Sequence, residues 1–221
     1  MNKLIKMTII SSLLTAVAFA GATVSVGYRE KGIEFGKVTD SDGAVVASVD
    51  TNWESFSFGA SAENHVTLSS AQFSRVVLNG GYKFFSTLAD VNVGAQYAMK
   101  NHPGKFDTNG HFRPFVSVGK GIASVTAAYD IESQLSNIEG ALSAKHELSK
   151  NAAIKTAVFA GYTDMKDALP KTIKEIKYSN AYYGGSIDLS YKMFSVGMVA
   201  LQDNDANKHV LGWRTSVSRS F

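Results

Sequence analysis

The sequence predicts an all-β protein, an antiparallel up-and-down transmembrane β-barrel of about 12 strands with short turns at one end and longer loops at the other. Three observations predict it. Apolar residues recur at every second position along almost the whole chain, they fall into about twelve segments of roughly ten residues, and the connections alternate between tight and long. Roughly ten residues is what a tilted strand needs to cross a hydrocarbon layer.

Residues 1–20 precede this pattern and read as a secretory signal peptide. Lys3 and Lys6 form a basic start, an apolar stretch over residues 7–19 is interrupted by Ser11, Ser12 and Thr15, and the small residues Ala18 and Ala20 flank Phe19. The apolar stretch is shorter than the roughly 20 residues of a spanning helix. Residues 21–221 are then the expected barrel domain.

The strands follow in order. The first places Val24, Val26 and Tyr28 on one face, the second Val45, Ala47 and Val49, the third Phe56, Phe58, Ala60 and Ala62, and the fourth Val76, Leu78, Gly80 and Tyr82. The fifth carries Val91, Val93, Ala95, Tyr97 and Met99, and the sixth Phe112, Pro114, Val116 and Val118. In the seventh, Ala123, Val125, Ala127, Tyr129 and Ile131 alternate with Ser124, Thr126, Asp130 and Glu132. The eighth has Ile138, Leu142, Ala144 and Leu148, and the ninth Ile154, Thr156, Val158, Ala160 and Tyr162. Ala181, Tyr183, Ile187, Leu189 and Tyr191 mark the tenth, Phe194, Val196, Met198 and Ala200 the eleventh, and Leu211, Trp213, Thr215, Val217 and Phe221 the last.

Connections after even-numbered strands are tight, at residues 52–54, 84–88, 120–121, 149–152 and 192–193. Those after odd-numbered strands are longer and more polar, as at 36–43, 101–110, 164–176 and 203–208, with 133–137 the short exception. Once strand direction is fixed, Tyr97, Tyr129, Tyr162, Tyr183 and Trp213 fall at the loop end, and Phe56, Tyr82, Tyr191, Phe194 and Phe221 at the turn end. Two such belts are expected at the two interfaces of a bilayer. A soluble sandwich would need large apolar residues on its inner face, whereas these faces are rich in Ala, Val and Gly, with aromatics mainly at strand ends.

The chain has 221 residues, no Cys, and 22 Lys+Arg against 19 Asp+Glu. Removal of Lys3 and Lys6 with the signal leaves a nearly neutral barrel, which argues against a nucleic-acid partner. The lack of Cys excludes disulfide scaffolds, thiolate metal sites and thiol chemistry.

The last strand, residues 210–221, resembles the C-terminal insertion signal of bacterial outer-membrane barrels, in which a final Phe follows outward apolar residues at every second position. Here these are Phe221, Val217, Trp213 and Leu211; Arg219 departs from the pattern and is placed to snorkel at the interface. Residues 24–32 also resemble the opening strand of a family of small porin-like barrels, which carry a Tyr, an Arg-Gly pair and a polar loop, although Arg29 and Gly32 are not adjacent here. The resemblance implies a bacterial outer membrane, contact with its lipid and lipopolysaccharide, and periplasmic chaperones and the barrel-assembly machinery as partners during insertion.

Alternation then assigns Arg29, Asp50, Arg75, Asn79, Asn92, Gln96, Arg113, Asp130, Glu139, Lys145, Lys155, Asp188 and Arg214 to the interior. Both signs are present in similar numbers, so the expectation is a porin-like passive channel for small polar solutes without strong charge selectivity. The alternatives are a non-conducting structural or interaction barrel whose interior charges pair across a filled lumen and, ranked last, a rim enzyme acting on lipid or peptide. No cofactor, metal or catalytic group is expected. His65 and His146 lack a Ser two residues on, and His102, His111 and His209 fall in or beside loops. Asp164, Asp167, Asp203 and Asp205 read as solvated loop acids, and 203–207 departs from a calcium loop at Lys208 and Arg214. Lys166, Lys171, Lys174 and Lys177 make the longest loop basic, with contact to anionic lipid a lesser expectation than simple solvation.

Overall fold

The computed structural model describes residues 21–34, 37–40, 43–65, 75–102, 105–106, 110–165, 178–203 and 208–221. The expected signal peptide, the four loop lysines, Asp167 and Asp205 lie outside the described residues. Twelve strands close into one barrel: β1 (Ala22–Arg29), β2 (Ala44–Trp53), β3 (Phe56–His65), β4 (Arg75–Phe84), β5 (Asp90–His102), β6 (His111–Lys120), β7 (Ala123–Asp130), β8 (Leu135–Ser149), β9 (Ala152–Met165), β10 (Tyr178–Tyr191), β11 (Phe194–Asp203) and β12 (Lys208–Ser220). Each pairs antiparallel with its chain neighbours, and β1 pairs with β12 from Thr23↔Ser220 to Arg29↔Arg214. The backbone of Phe221 completes this seam: its carbonyl accepts from Gly21 N–H at 2.9 Å, and its own N–H donates to Ala22 O at 3.0 Å.

Two small additions were not legible as alternation. Gly32–Glu34 and Lys37–Asp40 form a hairpin in the first loop, and Lys105–Phe106 folds back on the end of β5.

The tight ends follow from local backbone geometry. Glu54 and Lys192 take φ near 52° and Gly121 takes 62°, each at the first of two turn residues, the left-handed conformation that matches the twist of a two-residue hairpin. Residue 131 departs from expectation. β7 stops at Asp130 rather than running on to Ile131, because the Asp130 carboxylate accepts from Ser133 N–H at 3.0 Å and bends the chain into a turn over 131–134.

The distribution of apolar surface is the reverse of a soluble core. Buried hydrophobic residues among those described are mostly small, such as Ala44, Ala98 and Ala153, whereas Val125, Leu142, Val158, Ile187 and Val196 stand outward and exposed. Leu142 and Val158 face each other across β8 and β9, half-exposed near the middle of both strands. An apolar surface encircling the barrel is stable only against hydrocarbon. Aromatic rings mark its two edges. At the turn end Tyr82 packs on Phe56 and on Phe84, with ring centroids 4.8 and 4.6 Å apart, and at the loop end Tyr28 packs on Trp213 at 5.1 Å.

Leu142→Arg is therefore expected to lower the unfolding free energy in phospholipid vesicles by about 1–2 kcal/mol, short of the about 2–4 kcal/mol of an arginine at mid-bilayer, because Leu142 lies close to the turn-end boundary of the hydrocarbon. Ser143→Arg, one residue along on the other face, is expected to change it far less. Urea titration of both variants checks the pair.

Candidate functional site in the barrel lumen

The inward positions divide into two zones. Toward the turn end they carry small hydroxyl side chains that bond to one another across neighbouring strands: Ser25 to Ser48 at 2.7 Å, Thr126 to Ser117 at 2.9 Å, and Ser195 to Ser216 at 2.6 Å. Toward the loop end the side chains are longer and charged, in two groups, and a third charged group lies farther down the wall, toward the turn end.

In the first, Glu63 on β3 pairs with Arg29 on β1 and with Arg75 on β4, the latter at 3.7 Å. In the second, Arg113 Nε on β6 donates to Asp130 Oδ2 on β7 at 2.7 Å, with His111 Nδ1 3.1 Å from each oxygen of the same carboxylate. Asp130 is 1% exposed. In the third, Arg214 on β12 makes a two-pronged contact with Asp188 on β10, Nε to Oδ1 at 2.8 Å and Nη2 to Oδ2 at 2.6 Å. The pair spans β11, where the register places Gly197 between Asp188 and Arg214. A Cβ at 197 would overlap the Asp188 carboxylate, so glycine is what lets the ion pair lie flat against the wall.

A neutral network completes the loop-end zone. Asn137 Nδ2 donates to Thr163 Oγ1 at 2.9 Å and to Tyr182 Oη at 2.8 Å, and Tyr182 O–H donates to Glu139 Oε2 at 2.9 Å. The Tyr182 ring lies over Gly161, its partner across β9 and β10.

The remaining interior candidates are distributed as follows. Asp50 accepts from Ser48 at 3.4 Å and reaches the space over Gly59 from one side while Asn79 reaches it from the other. Asn92 and Ser57 converge in the same way over Gly81. Gln96 stands in register between Asn79 and Arg113. Lys145 lies on the part of β8 that runs past the end of β7, exposed and bonded to Glu147 of its own strand at 3.0 Å. Lys155 faces Lys145 on one side and Asp188 on the other, and it has no hydrogen-bond or ion-pair partner among the described residues.

The interior set read from alternation passed over Glu63 and, being confined to charged and amide residues, missed Tyr182, Thr163 and the serine lining as well. Parity on β3 already puts Glu63 on the face of Ser57 and Ser61, so its signal was present; the partnership of Tyr182 with Gly161 had none, because it joins two strands.

The two zones share one property. The ion pairs Arg29–Glu63, Arg75–Glu63, Lys83–Asp90, Arg113–Asp130, Lys145–Glu147 and Arg214–Asp188 each join positions on one strand, on adjacent strands, or two strands apart, so they run along the wall.

Among solved structures, the KdgM porin matches at a TM-score of 0.56 and 9% identity over 90% of this chain and 99% of that one. The fold is that of outer-membrane porins. The NanC porin matches at 0.57 and 10% identity over 91% and 100%. The COG4313 outer membrane channel from Pseudomonas putida F1 matches at 0.53 and 11% identity over 92% and 96%. No protein-family model and no curated protein sequence matches the chain.

Asp130→Ala is expected to cost more stability than Asp188→Ala, because it removes at once the buried acceptor of Arg113, His111 and Ser133 N–H. Asp188→Ala, facing a half-exposed Arg214, is expected to cost less than about 1 kcal/mol. Equilibrium unfolding of the refolded barrel distinguishes the two.

Proposed function

We propose that the chain is an outer-membrane barrel acting as a porin-like passive diffusion channel for small polar solutes. The observation that carries this reading is the direction of the ion pairs. Charges that neutralise one another along the wall leave the axis clear, whereas a filled barrel needs partners on opposite walls. The glycines beneath Asp188, Asp50 and Asn79 act to the same end, drawing side chains against the wall.

In this reading a solute passes two filters. One is size, set where Arg29, Arg75, Arg113, Asp130 and Glu139 narrow the loop-end zone, with Asp50, Asn79, Asn92, Gln96, Asp188 and Arg214 below them. The other is local charge, supplied by Lys155 and by the half-exposed Arg214. The turn-end hydroxyls offer exchangeable hydrogen bonds to water and polar solutes. No bond is made or broken, so the proposed activity is transport without catalysis. Tyr97, Tyr129, Tyr162, Tyr183, Tyr82, Tyr191 and Phe194 would anchor the barrel at the two interfaces, and Phe221, Val217 and Trp213 would be read by the assembly machinery.

A second reading has one observation in its favour: Asp130, Thr163, Asn180 and Tyr182 are almost wholly buried, as members of a closed plug would be. Planar-bilayer recording of the refolded mature chain decides between the two. A channel gives discrete conductance steps, with a reversal potential in a salt gradient that moves toward cation preference in Lys155→Glu. A correctly folded barrel that passes no current overturns the proposal in favour of the plug.

A further inference from the structure

The turn after β7 is the short one on the loop side, and it brings Asp130 and Glu132, two residues apart in the sequence, together with a third potential ligand side chain from the start of β6. His111 begins β6, Asp130 ends β7, and Glu132 lies in the turn over 131–134. One imidazole nitrogen and one oxygen from each carboxylate lie within 4.8 Å of one another. We propose that His111, Asp130 and Glu132 form a binding site for a divalent cation of the zinc class at the loop end of the barrel wall.

Three features support the assignment. The first is donor chemistry: one imidazole nitrogen with two carboxylate oxygens suits a borderline divalent ion better than calcium or magnesium, which favour all-oxygen sites. The second is spacing. His111 Nδ1 stands 3.1 Å from each Asp130 oxygen, close to the roughly 3.3 Å between ligand atoms around a tetrahedral ion with bonds of about 2.0–2.1 Å.

The third is orientation by outer contacts. Arg113 Nε holds Asp130 Oδ2 at 2.7 Å, Ser133 N–H holds Oδ1 at 3.0 Å, and Phe112 N–H holds Glu132 Oε2 at 2.6 Å. Each bond fixes a ligand without using all the lone pairs of its carboxylate. Such supporting contacts are the usual second layer of a protein metal site. Arg113 also offsets one of the two carboxylate charges, so the site does not rely on an ion to be electrostatically tolerable.

The site is independent of whether the lumen conducts. The test uses the refolded full barrel in detergent, freed of metal with chelator, and titrated calorimetrically with Zn2+ alone. The expected result is one saturable site per chain, with a melting temperature that rises with the logarithm of free Zn2+. Glu132→Gln keeps an acceptor for Phe112 N–H and lies in an exposed turn, so it is the variant least able to disturb folding. It is expected to weaken Zn2+ binding by at least about 100-fold, the upper end of what loss of an outer contact costs. His111→Gln is expected to do the same. Absence of saturable binding in the unsubstituted barrel overturns the proposal, as does binding that survives Glu132→Gln unchanged, which would move the metal to another histidine.

Discussion

A backbone N–H or C=O left unpaired in hydrocarbon costs several kcal/mol, and no water is there to relieve it. For a chain that crosses a membrane as strands, the sheet must therefore return to its own first strand. The seam between β1 and β12, running from Thr23↔Ser220 to Arg29↔Arg214 and finished by the backbone of Phe221, is where that requirement is met. Everything else follows from closure. A closed sheet has an inside and an outside, the two-residue period of a strand assigns side chains to them, and the outside must be apolar because its neighbour is lipid.

The interior then faces a problem that soluble cores solve with apolar packing. Its side chains are polar, numerous, and confined to a ring of limited width. Here the solution is lateral. Asp188 and Arg214 meet over Gly197, Asp50 and Asn79 meet over Gly59, and Tyr182 lies across Gly161. In each case one strand gives up its side chain so that two polar groups, or one ring, can occupy the space against the wall. Burial of charge is affordable because each partner is one or two strands away, where geometry is fixed by the sheet itself.

How much of this is legible in the sequence depends on whether a feature repeats along the chain or joins distant parts of it. Alternation does repeat, and it carries the strand number, the antiparallel order and the two faces. Its limits appear at strand ends. Ile131 continues the period perfectly well, yet β7 stops before it, because a carboxylate capturing a backbone N–H outweighs one more apolar position. Cross-strand partnerships are invisible to periodicity. Glu63 lies 34 residues from Arg29 and Asp188 lies 26 from Arg214, and nothing local announces either pair. The cluster of His111, Asp130 and Glu132 is hidden in the same way: no familiar ligand spacing links them, and the hairpin between β6 and β7 folds them together.

The stretch of β8 beyond β7 has a consequence for how deep the molecule sits. Pairing between these strands ends at Ala123↔Leu142, and Ser143 N–H makes one last bond to Ile122 O, while β8 continues to Ser149 with β9 as its partner. Over 144–149 one flank of the strand is an open edge, the kind of edge that invites pairing with another chain and that Lys145 and Glu147 defend with charge. Such an edge is tolerable in water and forbidden among acyl chains. The lower boundary of the hydrocarbon therefore has to lie at or above Ser143, and the hairpin tip stands clear of it as a fixed depth gauge.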